Sequence, residues 1–598
     1  MIMKKLFFFF LMMLLPMAGS AHDAIIDGIY YLFDQKAMTA TVTYDHFQLF
    51  KYSGEVVIPE TVAYEGKSYC VAAIGNQAFY NNKELYSVII PNSVISIGFQ
   101  AFYGCSELCA INISDSVKDI SMEAFESTRW YNSQPDGLVY AGKVAYKFKG
   151  TMQATDIVLK EGTTGIAGNA FYNCPIQSIT IPSTLKLIGD GAFLNCNQLS
   201  SVYITDVAAW CEIEYPSGDN PLIYAHRLFL NGEEVNDLMI PDNVTSIADF
   251  AFQNCTNLTA VTIPNSTTSI GKEAFLGCSN LISVLGGNSL TSIEANAFMY
   301  CENLSTVHIS SFATHIGDRA FYGCKSLVTI EMPNTVTSIG SHAFDGCAAL
   351  SSITIPEGLT AIESCAFAKC TGLINISIPS NVSLIRSRAF WGCSSLTSIE
   401  IGSGVKSIDD YSFSDCADLK EVFCYAKKVP STSYEAFNNS PITSATLHIP
   451  VSSMDAYKAK EPWSGFKYFV SLPEQCATPT IAYVDGRLTL STDTEDAECV
   501  WMLKMVGQVQ GCGNIIVVPC QYELTVYATK EGWQDSDRVT FLLVWGDGDV
   551  EGDNVIRLGG IGSGNCDVNG DGTVDVADIA TIISEMAGKA RMQKIEGQ

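Results

Sequence analysis

Apolar and polar positions repeat along this chain with a period of 23 residues. Ile316–Pro333 reads IGDRAFYGCKSLVTIEMP, and nearly the same string returns at Ile339–Pro356 as IGSHAFDGCAALSSITIP. The shared pattern is I-G-x-x-A-F-x-x-C-x-x-L-x-x-I-x-I-P, followed by a short polar stretch. A repeat of this length indicates a solenoid, because each unit can bury its apolar side only against its neighbours.

One phenylalanine marks each repeat, and every step from Phe252 to Phe413 is 23 residues. Longer gaps after Phe125 and Phe193 predict diverged coils or insertions. Thirteen of the fourteen phenylalanines follow an alanine, so we expect each ring to be buried beside a small side chain. The fourteen are Phe79, Phe102, Phe125, Phe171, Phe193, Phe252, Phe275, Phe298, Phe321, Phe344, Phe367, Phe390, Phe413 and Phe437.

Within each coil the pattern predicts one strand and one helical turn. Apolar residues alternate in Leu396–Ile401, which predicts a short strand with Ile399 and Ile401 turned inward. Strands of successive coils would pair as a parallel sheet about 4.8 Å apart. Ile385–Cys393 has apolar residues three and four apart, which predicts a turn of α- or 3₁₀-helix.

The outward positions of these strands would form an open surface rich in hydroxyl groups. Because such a surface lacks the tryptophan, tyrosine and arginine of strong protein contacts, it predicts weak, extended and multivalent binding. The alternative is that serine and threonine are simply acceptable on the solvent side of a strand. The candidate ligand-binding residues are Thr306, His308, Thr329, Glu331, Ser352, Thr354, Asn375, Ser377, Ser398 and Glu400.

Of the 21 cysteines, eleven stand three residues after a motif phenylalanine. Other coils place Asn82, Thr128 and Ser440 there, so the shared property is a small side chain that can hydrogen-bond a neighbouring turn. This predicts a buried ladder of free thiols rather than disulfides or a metal site. The eleven are Cys105, Cys174, Cys196, Cys255, Cys278, Cys301, Cys324, Cys347, Cys370, Cys393 and Cys416.

The chain has 598 residues, 47% hydrophobic content and a net charge of −28. The charge argues against nucleic acid or an anionic membrane as a partner, since a phosphate backbone requires basic surfaces. Lys4 and Lys5, an apolar run at Leu6–Leu15 and small residues up to Ala21 predict a cleaved secretory signal peptide. We found no other apolar run long enough for a transmembrane segment.

The repeat resembles the leucine-rich repeats of BspA-like bacterial surface proteins over Ile74–Pro450. The resemblance implies a secreted or cell-surface protein that adheres to host matrix proteins or host cells. Two segments break the period, near 128–150 and 206–236, and contain Trp130 and Trp210. Their aromatic residues are either binding anchors or packing over irregular coils.

The predicted organisation has six parts. They are a signal peptide (1–21), an amino-terminal β cap (22–73), the solenoid (74–475, with a carboxyl-terminal cap at 438–475), a β-sandwich (476–545), a flexible linker rich in Gly and Asp (546–565) and a calcium-binding repeat (566–590). The alternating strands of 476–545 resemble the immunoglobulin-like or fibronectin type III modules of exported proteins.

A calcium loop is predicted near the carboxyl terminus. Its oxygen donors stand at loop positions 1, 3, 5, 9 and 12 of an EF-hand-type loop, and Thr573 would offer its backbone carbonyl. The loop resembles a type I dockerin repeat, which implies a cohesin-like partner, although only one such repeat is evident. The predicted ligands of Ca²⁺ are Asp567, Asn569, Asp571, Thr573, Asp575 and Asp578.

No pattern in the chain favours catalysis. Seven histidines are scattered, and we found no HExxH, GxSxG or Cys-His signature. We therefore predict a non-enzymatic adhesion or ligand-binding protein that recognises a protein or glycan on a host or neighbouring cell. The alternative is a scaffold component of an extracellular assembly, docked through the calcium-binding tail.

Overall fold

The structure, a computed structural model, describes residues 22–44, 52–150 and 155–472 in full. Beyond them it describes Arg538 and the backbone of separate strands. The predicted signal peptide, the calcium loop and the side chains of Cys476, Cys499, Cys512, Cys520 and Cys566 lie outside the described residues.

The repeats form a solenoid in which each regular coil has three sides. In the coil that begins at Ile339 these are a run of turns, a strand at Ser352–Ile353 and a second strand at Ala361–Ile362. The chain turns at residues 357–358 between the two strands, just after Pro356, whose lack of an N–H keeps it from extending the first ladder.

The first strand of each coil is the predicted one, and these strands pair in parallel within several separate ladders. In the most regular stretch, Asn375 lies opposite Ser398, and Ser377 lies opposite Glu400. The strands of this side are Gly54–Val57, Leu85–Ile89, Ala110–Asn112, Asp156–Val158, Ser178–Ile181, Ser201–Ile204, Leu228–Leu230, Asp237–Met239, Ala260–Ile263, Ser283–Gly286, Thr306–Val307, Thr329–Ile330, Ser352–Ile353, Asn375–Ile378, Ser398–Ile401, Glu421–Cys424, Thr446–Pro450 and Tyr468–Leu472.

The prediction of a single strand per coil is wrong, because a second, two-residue strand forms at the motif isoleucine. Its isoleucine points into the core while its backbone pairs with neighbouring coils, as Ile316 does with Ile293 and Ile339. These strands are Ser96–Ile97, Asp119–Ile120, Gly165–Ile166, Leu187–Ile188, Ser246–Ile247, Ser269–Ile270, Ser292–Ile293, His315–Ile316, Ser338–Ile339, Ala361–Ile362, Leu384–Ile385, Ser407–Ile408 and Ser431–Thr432.

The predicted helical turn is also wrong, because the segment between the motif isoleucine and cysteine is a run of turns. The N–H groups of His342, Phe344 and Gly346 donate to carbonyls of the next coil at 2.8–2.9 Å. His342 and Gly346 have φ of 59° and 79°, in the left-handed region. A helix would direct every N–H along its own backbone, whereas these residues turn alternate N–H groups toward the adjacent coil.

The predicted burial of the motif phenylalanines is confirmed. Every one of the fourteen is buried, and rings of consecutive regular coils stack almost in parallel. The Phe344 ring centroid lies 5.3 Å from that of Phe321 and 5.5 Å from that of Phe367. The recurring residues therefore fill the core, and the positions that differ between coils lie on the surface.

Strands at Ala24–Ile26, Ile29–Asp34, Thr39–Thr43, Thr61–Tyr64 and Lys67–Ile74 cover the amino-terminal end of the solenoid. The first three are antiparallel, and Thr39–Thr43 then pairs in parallel with Lys67–Ile74. The carboxyl-terminal end is covered by helices at Val451–Ser453 (3₁₀), Met454–Lys458 and Trp463–Gly465 (3₁₀). Tyr457 and Trp463 are fully buried there, which closes the apolar end of the last coil.

Both interruptions of the repeat are built into the solenoid. The first has a helix at Arg129–Asn132 and a hairpin of Gly137–Ala141 with Val144–Lys149. The second has helices at Val207–Cys211 and Leu222–Ala225, and its Glu233–Glu234 strand pairs with Leu228–Leu230.

Two aromatic residues of the second interruption, Trp210 and Tyr215, pack inward. Trp210 is 1% exposed and its indole N–H donates to the Ala251 carbonyl over 2.8 Å, while Tyr215 is also buried. In the first interruption, Trp130 packs edge-on against Phe125. Trp210 therefore packs inside an irregular coil, whereas Trp130 is only partly buried and its role as a binding anchor stays a prediction.

The described strands beyond the solenoid are Thr480–Val484, Arg487–Ser491, Glu498–Met505, Gln521–Thr529, Val539–Trp545, Val555–Leu558 and Arg591–Met592. The first two form an antiparallel pair, and the next three form a continuous antiparallel sheet. Val555–Leu558 pairs in parallel with Val539–Trp545 and lies within the range 546–565 predicted as a linker. The packing of these strands into a sandwich stays a prediction.

Candidate ligand-binding surfaces

The outward residues of the first strands form what we call the sheet face. Nine of the ten predicted ligand-binding residues are exposed, and Ser398 is partly exposed. Because the strands are in register, the ten form two adjacent columns. One column is Thr306, Thr329, Ser352, Asn375 and Ser398, and the other is His308, Glu331, Thr354, Ser377 and Glu400.

The second column continues beyond Glu400 to residues that the sequence prediction did not include. Phe423 lies opposite Glu400, and His448 lies opposite Phe423. The rings of Phe423 and His448 stack with centroids 4.1 Å apart, and His448 Nε2 is 2.5 Å from a carboxylate oxygen of Glu421. Phe423 and His448 are 25 residues apart instead of 23, so the repeat pattern did not show that they lie opposite each other.

A second aromatic pair lies on the sheet face at the second interruption. Tyr203 and Phe229 are opposite each other in paired strands, and their ring centroids are 4.7 Å apart. The Arg227 guanidinium lies 5.1 Å from the Phe229 centroid and makes two 2.7 Å hydrogen bonds to Glu234. These bonds raise the pKa of Arg227 and lower that of Glu234, so both groups stay charged.

Exposed aliphatic residues stand one residue after the motif leucine in three alternate coils. They are Ile282, Val328 and Ile374, which are 46–51% exposed. The intervening coils have Ser305 and Ser351 there. These residues lie just before the predicted strand. The alternation of apolar and polar residues within the strand therefore did not predict that they are exposed.

The motif cysteines confirm the predicted thiol ladder. Ten of the eleven are buried, Cys174 is partly buried, and every cysteine side chain in the described part of the chain is free. Each thiol from Cys278 to Cys393 donates to the carbonyl oxygen of a motif phenylalanine in the preceding coil, over 3.1–3.3 Å. Burial raises the pKa of Cys278 to about 12, so these thiols are neutral and unreactive.

The turns form a second surface, which we call the turn face. It consists of the outward side chains between the motif isoleucine and cysteine of each coil. Left-handed residues recur there, including Arg319, Lys369 and Arg388, all exposed. Aromatic side chains lie among them, such as Trp391 and Tyr411. Reading the turn as a helix concealed this surface.

The described residues contain no group of three or more His, Cys, Asp or Glu side chains placed to hold a metal ion. The six predicted calcium ligands lie beyond them. Within the same described part, no helix is long and apolar enough to cross a membrane.

Three stretches of the chain, residues 72–200, 225–351 and 337–459, match the BspA type leucine rich repeat region, in six copies. Together they cover more than half of the sequence. The chain belongs to the BspA type leucine-rich repeat family. Leucine-rich repeat proteins of this family are cell-surface proteins, and such repeats bind protein ligands and are typically non-catalytic.

Several solved structures are similar to this member of the family. A leucine-rich repeat protein from Bacteroides ovatus is 27% identical, with a TM-score of 0.32, over 68% of this chain and 95% of that one. A leucine rich cell surface protein from Faecalibacterium prausnitzii is 22% identical, with a TM-score of 0.23, over 71% and 99%. The pneumococcal vaccine antigen PcpA is 17% identical, with a TM-score of 0.34, over 76% and 99%. No curated protein matches the chain.

Proposed function

We propose that this chain is an exported, non-catalytic protein of the cell surface that binds proteins of a host, a neighbouring cell or a matrix through the outside of its solenoid. The observation that carries this proposal is the burial of the recurring residues. Because the motif Phe, Cys, Leu and Ile side chains fill the interior, outward positions can differ from coil to coil without disturbing the core. A surface of this kind suits recognition.

The sheet face supplies an extended contact area. Its two columns present mainly hydroxyl and carboxylate groups, with exposed Ile282, Val328 and Ile374 alongside. Single contacts with such groups are weak, so affinity comes from many contacts along the axis.

Binding of matrix proteins and host cells by the immobilised mature chain tests the proposal. A variant with Ser352→Arg and Ser377→Arg places bulky charges in the two columns and should lose at least tenfold in affinity. The matched control, Thr337→Arg with Thr360→Arg, changes equally exposed residues outside the sheet face and should bind like the unchanged protein. The proposal fails if the unchanged protein binds no better than an unrelated β-sandwich protein.

Export is part of the same proposal and rests on the amino-terminal sequence. Expression in a bacterial host should release a mature chain that begins at His22, because the apolar run at Leu6–Leu15 ends before small residues. Amino-terminal sequencing of the extracellular fraction checks this. An intact Met1 on the surface-located protein would contradict cleavage.

A second candidate function, a scaffold docked through its tail to a cohesin-like partner, is supported by the spacing of Asp567, Asn569, Asp571, Asp575 and Asp578. Titration calorimetry of the full chain should show calcium binding that Asp567→Ala with Asp571→Ala abolishes. Asp547→Ala with Asp549→Ala, in the preceding acidic stretch, is the control. Retention of a chain lacking residues 566–598 at the cell surface would exclude docking by the tail.

A further inference from the structure

Three basic residues lie on the turn face within four successive coils, although the protein as a whole is strongly acidic. Arg319, Lys369 and Arg388 are exposed there, and none has a carboxylate within 4 Å in the described part of the chain. Neighbouring cations in the same coils, Lys325 and Arg386, are paired with Glu302 and Glu363. The net charge of the chain is −28, so an unpaired basic cluster departs from its surroundings.

The acidic side chains beside this cluster already have partners. Asp415 accepts from the Trp391 indole N–H at 2.6 Å and from the Asn439 amide at 3.0 Å. Glu435 accepts from the Tyr411 hydroxyl at 2.5 Å. Asp318 accepts a backbone N–H at 2.7 Å. Asp410 is exposed and forms no ion pair within 4 Å in the described residues. The positive groups are therefore available to an external ligand, while most nearby negative groups are not.

Aromatic rings frame the cluster. The Lys369 amine lies 4.9 Å from the Trp391 ring, and the Arg388 guanidinium carbon lies 5.1 Å from the Tyr411 ring. At the other end, Tyr300 and Tyr322 are packed edge to face. Tryptophan, tyrosine and arginine are the residue types that dominate protein interfaces, and the sheet face has few of them.

Between the two aromatic pairs, the surface is formed by small residues. We call this part the floor of the site, and one hydrogen-bond acceptor beside it has no partner. Gly323 and Gly346 are neighbours in successive coils, since a Cβ on Gly346 would lie 3.7 Å from the Gly323 Cα. Beside them the Asp345 side chain is buried, with the residue 6% exposed. Its Oδ2 lies 2.9 Å from His342 Nδ1, but its Oδ1 has no hydrogen-bond partner. A buried acceptor without a donor costs free energy. A ligand N–H reaches this oxygen when the Asp345 side chain rotates toward the surface.

We propose that this part of the turn face binds an extended acidic segment of the partner protein, whose carboxylates pair with Arg319, Lys369 and Arg388 and whose backbone N–H donates to Asp345 Oδ1. Arg319 and Arg388 are three coils apart, about 14 Å, which an extended peptide of about five residues spans. This inference rests on the proposed binding of a protein ligand and assigns its main anchor to the turn face.

Fluorescence anisotropy with the full mature chain tests this directly. The probe is a labelled ten-residue peptide of alternating Glu and Ser, compared with its Lys-Ser counterpart and with an oligouronate of equal charge. The acidic peptide should bind at low ionic strength, weaken as salt rises and outcompete the other two probes. Preference for the oligouronate would overturn the proposal in favour of a glycan site.

Two triple variants distinguish the effect of the basic cluster on peptide binding from the effect of the protein's total positive charge. Arg319→Ser, Lys369→Ser and Arg388→Ser together should weaken peptide binding at least tenfold. Lys406→Ser, Lys420→Ser and Lys428→Ser remove the same charge from exposed positions elsewhere and should change it less than twofold. Equal losses in the two triple variants would overturn the proposal. Circular dichroism checks that both variants keep the fold.

The single substitution Asp345→Ala tests the floor of the site. It removes a negative charge, so simple attraction would strengthen binding of an acidic peptide, whereas loss of the acceptor should weaken it severalfold. Stronger binding would overturn the role of Asp345. If the protein binds matrix proteins while the cluster variants make no difference, the turn-face proposal fails and the general function stands.

Discussion

The Cys347 thiol donates to the carbonyl oxygen of Phe321, one coil earlier, over 3.2 Å. Ser440 takes the same role with Phe413 at 2.6 Å, through a hydroxyl group. The thiols therefore form hydrogen bonds between successive coils. Their role depends on a small side chain with one hydrogen-bond donor, and not on redox chemistry.

Cys347→Ser should destabilise the protein less than Cys347→Ala. Serine retains a donor to Phe321, whereas alanine loses it and leaves a small cavity, at a combined cost of about 1–2 kcal/mol. Urea unfolding of the two variants measures the difference. Ser352→Ala, at an exposed position, is the control. A serine variant less stable than the alanine variant would contradict the hydrogen-bonding role.

Alkylation of native protein should label Cys70 and Cys109, which are exposed, before any motif cysteine. Thiolates react and thiols do not, and burial raises the pKa of Cys278 and Cys105 to about 12. At pH 8 both motif thiols therefore stay neutral and inaccessible. Mass-spectrometric mapping of labelled peptides checks this, with urea-unfolded protein as the control. Early labelling of Cys278 would show that the core opens.

Phe344→Ala should cost about 3–5 kcal/mol, because the ring is buried between two stacked neighbours. Phe312→Ala is the matched control, since the Phe312 side chain is 64% exposed, and its effect should stay within about 0.5 kcal/mol. Thermal unfolding followed by circular dichroism compares them. Similar melting temperatures for both variants would contradict the assignment of inside and outside.

Gly346→Ala should destabilise the protein by about 1–2 kcal/mol through backbone strain alone. The Gly346 φ is 79°, while an added Cβ meets nothing closer than 3.7 Å. Thr354→Ala, an exposed substitution without a left-handed backbone, is the control. If Gly346→Ala is neutral, the turn does not require the left-handed conformation that gives the adjacent coil its hydrogen bonds.

Much of the interior follows from periodicity. Residues that recur every 23 positions in stacked coils must face equivalent environments, so the burial of Phe344 and Cys347 could be predicted from one repeat and its copy. The outward columns of the sheet face followed equally, because alternation along a strand assigns each residue to one side. The two-residue strand at Ser338–Ile339 was missed because it is too short for alternation to register.

The sequence by itself determined the solenoid, its core and the family, because identical coils leave only one way to bury identical apolar residues. Only the tertiary structure decided what the outside brings together. Arg319 and Arg388 share one motif position, two residues before the phenylalanine, but Asp345 and Lys369 occupy other positions, so the period alone does not bring the four residues together. Left-handed turns at Arg319, Lys369 and Arg388 place these residues on one side of the stack, and the apolar pattern does not encode that backbone conformation.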